Sequence, residues 1–121
     1  NRYTCATLTG TYANAETLTT TMPSHQRLWH HDIIKDGSNY WGLFDSYEGN
    51  IYMGYSANGT AWSIGTVPIL HFGAGSPAWV LTRLYRGSIV KTATGFTCWY
   101  SAQAGTDPQV WHTGTTTITA V

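Results

Sequence analysis

The chain reads as an all-β protein, and three observations lead there. No segment of its 121 residues carries apolar side chains at three-and-four spacing for more than a turn or two. Twenty threonines and 14% aromatic residues supply the side chains that suit a pleated, half-buried surface. Short strand-like runs alternate with turn-forming tetrapeptides along most of the length.

The runs appear in a regular order. "LWHHDIIK" is followed by the turn "DGSN", "YWGLFDS" by "YEGN", and "IYMGYS" by "ANGT" before "AWSIGTVPIL". That rhythm predicts four antiparallel strands joined by tight turns. After the loop "HFGAGSPAW" a second series begins with "RLYRGSIVKTATGFTCWYSA".

The two series are self-similar. Residues 27–46 align with residues 83–102 without a gap at an offset of 56, pairing Arg27 with Arg83, Leu28 with Leu84, Trp29 with Tyr85, Ile33 with Ile89, Ile34 with Val90 and Lys35 with Lys91. A four-stranded antiparallel unit repeated at this spacing is the sign of a β-propeller blade, whose faces are buried against its neighbours. The expected architecture is therefore an incomplete propeller of about two to two and a half blades. Residues 1–26 supply N-terminal strands, possible members of a preceding blade; residues 27–78 form a first blade and residues 79–121 a second, shortened one. The open faces then require further blades, from the same protein or from other subunits.

Composition narrows the partners. Six Lys and Arg balance six Asp and Glu, so the basic footprint of a nucleic-acid or membrane-surface binder is missing. No run of about eighteen apolar residues is present to span a bilayer, and the chain opens at Asn1 with neither an initiator Met nor an apolar leader. It reads as soluble, without membrane insertion, and as a processed or excerpted piece. Cys5 and Cys98 permit one disulfide or two buried thiols, and the sequence leaves both open.

The repeat separates scaffold from site, because positions that serve the fold recur in both units. His30, His31 and Asp32 align with Arg86, Gly87 and Ser88, so this polar cluster is special to the first unit. Strand alternation puts His30 and Asp32 on one face and Trp29, His31 and Ile33 on the other. Two histidines split in this way do not share a metal, and His25, His71 and His112 show no HxH or HxxxH spacing. Neither a metal nor an organic cofactor is expected. Asp32 is the candidate acid, with His30 as its hydrogen-bonding neighbour. Asp36, Asp45, Glu48 and Asp107 fall at strand ends, turns or loops, so no partner carboxylate for glycoside chemistry stands out. Trp41, Trp62 and Trp99 are expected in the core, and Trp29, Trp79 and Trp111 as aromatic faces on which a sugar stacks.

"YSANGTAW", Tyr55–Trp62, resembles the Asp-box turns of sialidase-type propellers, with Asn58 where Asp is usual. Its expected role is structural: a short Asx side chain caps the turn, Gly59 permits positive φ and Trp62 packs beneath. Asn58-Gly59-Thr60 is also formally a glycosylation sequon.

"WHHDIIKDGSNYWGLF", "IYMGYSANGTAWS", "VPIL" and "LYRGSIVKTATGFTCWYSA" are similar to successive strands of the five-bladed β-propeller glycoside hydrolases, especially family 43 and its relatives, over roughly residues 27–102. The resemblance implies a propeller whose inner strands point acidic residues into a central funnel where glycans bind, with Asp32 at an inner-strand acid position and Arg86 at a substrate-facing one. Where the related invertase-type propellers carry Arg-Asp-Pro, Gly87 and Ser88 follow Arg86 here, and no Glu occurs after Glu48. The leading expectation is a carbohydrate-associated module that binds a glycan or receptor rather than cleaving it, extracellular or on a virion such as a phage tail. The rivals are a glycosidase or a fragment of one using Asp32, and a structural or decoration subunit of a larger assembly.

Overall fold

The computed structural model describes residues 2–4, 13–80, 82–105 and 110–119; Cys5 and Asp107 lie outside them. Ten strands are present among the described residues, and no helix. Strands β1 (Arg2–Thr4) and β2 (Ala13–Glu16) form an antiparallel pair of their own. Strand β3 (Thr19–Thr21) precedes the long series β4 (Leu28–Asp36), β5 (Asn39–Ser46), β6 (Ile51–Ser56) and β7 (Ala61–Ile64). These five make one sheet in the order β3-β7-β6-β5-β4. Strands β8 (Arg83–Lys91), β9 (Gly95–Gln103) and β10 (Trp111–Thr119) make a second, antiparallel sheet.

The meander predicted from the turn signals is present, with one addition. Strand β3 lies parallel to β7, Thr19–Thr21 beside Ala61–Ser63, on the outer edge of the first sheet rather than in a preceding one. Strand β7 is also shorter than the apolar run "AWSIGTVPIL" suggests. Gly65 and Pro68 interrupt that run, and its far end returns only as a single bridge between Leu70 and Ile51.

The offset of 56 is visible in the pairing itself. His31 opposes Phe44, Asp32 opposes Leu43 and Ile33 opposes Gly42; in the second sheet Gly87 opposes Tyr100, Ser88 opposes Trp99 and Ile89 opposes Cys98. Each of the latter residues stands 56 places after its counterpart.

The sheets pack face to face as adjacent blades. Leu43 and Ile51 from the first meet Leu84, Ile89, Phe96, Cys98, Tyr100 and Ala102 from the second, with Trp41 and Met53 packed at the border. The other face of the first sheet carries a separate cluster, Phe44, Tyr52, Trp62 and Ile64. Alternation along β9 sends Phe96, Cys98, Tyr100 and Ala102 into the core, so Trp99 must face away. It is 42% exposed, which corrects the expectation that it is a core residue.

The turn between β6 and β7 is built as its sequence suggests. Asn58 Oδ1 accepts from the backbone N–H groups of Thr60 and Ala61, both at 2.9 Å, and Ser56 Oγ accepts from Gly59 N at 2.8 Å. Gly59 takes φ +77°, and the Trp62 indole N–H donates back to its carbonyl at 3.3 Å. The motif pins a turn.

Cys98 is a free thiol with no exposed surface, and burial pushes its pKa up to about 11. The thiolate is the reactive form. In a Cys5→Ser protein, where Cys98 is the remaining thiol, a thiol-specific reagent at pH 8 should label nothing in the native state and one equivalent on unfolding. Rapid native labelling would show that the inter-blade core opens.

Candidate functional site

The inner strands β4 and β8 run side by side, and residues 29–32 of the one and 86–88 of the other line a depression of about 510 Å³. Its walls include Trp29, His30, Asp32, Arg86, Ser88 and Trp99. Two irregularities in the ladder shape it. In β4, Leu28 pairs with Ser46 and His30 with Asp45, so Trp29 is an extra residue. A bulge sets two consecutive side chains on nearly the same side of a strand. Trp29 and His30 accordingly stack, with ring centroids 4.8 Å apart and planes 23° from parallel. This corrects the strict alternation expected from the sequence, which placed them on opposite faces. His31 does face the other way, stacked on Phe44 at 6.2 Å.

In β8 the extra residue is Arg86, which adopts φ +49° and points its side chain into the open. Gly87 follows because the strands touch here: a Cβ at this position would sit 2.8 Å from Leu43 Cδ1.

Asp32 is tied across the blades. Its Oδ2 accepts from Ser88 Oγ and from the Ile89 backbone N–H, each at 2.9 Å. Ser88 is its own counterpart in the repeat. The residue singled out because it differs between the units is thus bonded to the residue it differs from. Further along the same strands, Lys91 Nζ pairs with the Asp36 carboxylate.

A second carboxyl group lies beneath. Asp45, opposite His30, is 2% exposed and accepts from the Gly87 N–H at 3.1 and 3.3 Å. Burial pushes its pKa from 3.8 up to about 7; backbone bonds from Gly87 and Arg86 and the Arg86 charge work against that shift, while the Asp32 charge adds to it. Sequence reasoning passed over Asp45 as a strand-end residue. The available signal was a carboxylate closing the otherwise apolar run "YWGLFD", where a charge is not solvated for nothing.

His30 sits between rings, 4.8 Å from Trp29 and 5.0 Å, edge-on, from Tyr85. Its Nε2 is buried and has no hydrogen-bond partner among the described residues. Burial, then the charges of Arg86 and His31, hold its pKa below the usual value, so the ring is neutral at pH 7.

The aromatic candidates divide. Trp29 lines the depression; Trp111 does not, but is 43% exposed and packs 5.4 Å from Tyr85, which itself lies 4.9 Å from Trp29. Trp79 lies elsewhere: it stacks on Tyr100 at 5.8 Å, close against Gly114, and borders the core. In its place stands Trp99. Among the described residues no three His, Cys, Asp or Glu side chains gather as a metal site would require, and no helix is long and apolar enough to cross a membrane.

No family model and no curated protein matches the chain. Two solved structures are similar in fold. An N-acetylgalactosamine deacetylase from F. plautii, crystallised in complex with blood group B trisaccharide, matches 91% of this chain with a TM-score of 0.66 at 18% identity. A thermostable family-43 glycoside hydrolase matches 86% with a TM-score of 0.60 at 13% identity. The chain spans 38% and 33% of those proteins' lengths. At such identities the likeness is one of fold. The protein has the all-β, partial propeller architecture, similar to family-43 glycoside hydrolases, that its strand motifs suggested.

Proposed function

We propose that this chain is a carbohydrate-binding propeller module that holds a saccharide in the depression between β4 and β8 without cleaving it. The observation that carries the reading is the composition of that one concavity. Trp99, 42% exposed, offers an apolar face of the kind that packs on a sugar ring, Trp29 stacked on His30 forms an aromatic wall, and Arg86 and Ser88 offer polar groups beside them. The fold shared with two carbohydrate-active enzymes supports it. Holding is favoured over cleaving because Oδ2 of Asp32 is engaged by two donors of the neighbouring blade.

The setting in which such a module acts is an extracellular or virion surface, with further blades covering the part of the sheet that exposes Val90. A glycosidase, or part of one, is the second reading. It is favoured by Asp45, a carboxyl group that titrates near pH 7 and feels the charge of Asp32.

Asp32→Asn decides between them. The amide oxygen still accepts from Ser88 and Ile89, so the blades stay joined. On a glycan array the wild type and the variant should bind the same saccharides, and neither should release reducing ends. Turnover by the wild type that the variant loses would establish the enzyme, and a wild type that binds no glycan would sink the carbohydrate reading.

A further inference from the structure

We infer that the saccharide taken by this depression carries a carboxylate, as uronic acids do, and that the Arg86 guanidinium is its anchor. The inference rests on the carbohydrate reading above and specifies its ligand. It starts from a backbone outlier. Arg86 is one of two non-glycine residues at positive φ among the described residues, and the left-handed region is costly for any side chain with a Cβ. The other, His25, sits in a surface turn.

The surroundings hold Arg86 in that conformation. The backbone N–H groups of Arg86 and Gly87 donate to the buried Asp45 carboxyl, and Gly87 is pressed against Leu43. The side chain is thereby turned away from the core and into the depression.

Its guanidinium has no ion-pair partner among the described residues. Side-chain ion pairs among the described residues join Arg27 to Glu48 and Lys91 to Asp36, and none reaches Arg86. Asp45 spends its oxygens on backbone donors, and Asp32 directs Oδ2 at Ser88 and Ile89. The guanidinium lies over the Tyr85 ring, 5.5 Å from its centroid, and its charge acts on the buried Asp45 carboxyl and on His30 through space, without an ion pair to either. A planar five-donor fork matches a carboxylate in bidentate fashion. One free guanidinium beside the Asp32 charge suits a single planar monoanion better than a phosphate dianion.

Binding should be measured with oligosaccharides bearing glucuronate or galacturonate, each alongside its methyl ester, on the wild type, Arg86→Gln and Arg86→Gly. The wild type is expected to prefer the acid about tenfold or more, as charge-assisted bonds do, and to lose part of that preference at high salt. Both variants should bind acid and ester alike. Arg86→Gly controls for folding, because glycine adopts φ +49° freely and its melting temperature should hold or rise. Acid and ester bound equally by the wild type would overturn the inference and leave the carbohydrate reading standing. Binding of neither would overturn the inference, and only a wild type that also binds no glycan on the array would overturn the carbohydrate reading with it; a preference that survives in Arg86→Gln would place the anion elsewhere and overturn the inference.

Discussion

Asp45→Asn should make the protein more stable at pH 8 and nearly remove one slope from its pH–stability profile. The native carboxyl titrates at about 7, against 3.8 when it is free of the fold. Between those values the folded chain holds a proton that the unfolded chain has released. Stability therefore falls as pH rises from about 4 to about 7, the direction opposite to that of a salt-bridged aspartate. At about 1.4 kcal/mol for each tenfold difference in proton affinity, the loss amounts to about 4 kcal/mol. An amide is isosteric, keeps an acceptor for the Gly87 N–H and carries no charge into the site. Near pH 4 the variant and the wild type should differ by about 1 kcal/mol or less; by pH 8 the variant should lead by several. His30 works the other way, since a lowered histidine pKa contributes stability that is lost as pH falls below its usual value. Taking the difference between the two proteins cancels it. Urea denaturation at unit steps from pH 4 to 8 measures the effect, and a difference that stays constant across that range would refute the assignment.

The burial of Asp45 marks where the sequence stops being legible. Hydrophobic alternation and turn residues were enough to locate β4 to β6 and β8 to β9, because each of those strands has one face committed to the core and a Gly- or Asn-bearing turn at its end. The offset of 56 survives into the hydrogen-bond register, since both inner hairpins bury equivalent residues against each other. What the pattern does not carry is the bulge. An extra residue at Trp29 and another at Arg86 leave no mark in a period-two pattern, yet they bring Trp29 beside His30 and turn Arg86 outward. Asp32 shows the complementary limit. Its difference from Ser88 was visible in the chain, but the reason, a hydrogen bond between those two residues, exists only once the blades are side by side. Trp99 was within reach, because Cys98 and Tyr100 on either side of it had already claimed the inward face.

Gly54→Ala should be among the most damaging single-methyl changes in the chain. A Cβ at Gly54 would stand 2.5 Å from Cε2 and 2.9 Å from Cδ2 of Phe44. The ring has nowhere to withdraw. It is 1% exposed, meets Trp62 edge-on at 5.0 Å, and lies over Gly42 as well, where a Cβ would come within 2.9 Å of the same Cε2. Two facing glycines on β5 and β6 thus form the floor on which one phenylalanine lies flat. Overpacking of this kind costs about 1–3 kcal/mol and more where relaxation is blocked; we expect about 3. Phe44→Leu alone should cost a comparable amount by leaving a cavity. Together the two changes should cost clearly less than their sum, because the shorter side chain vacates the space the methyl needs. A double-mutant cycle by chemical denaturation reads that coupling directly. Strict additivity would mean that the strain of Gly54→Ala falls on the β6 backbone and not on the ring. Because Asp45 follows Phe44 on β5, the same cycle monitored at pH 4 and pH 8 tests a second point. If displacing the ring shifts β5, the titration of Asp45 should move with it; if the glycine floor yields alone, the pH dependence should stay as in the wild type.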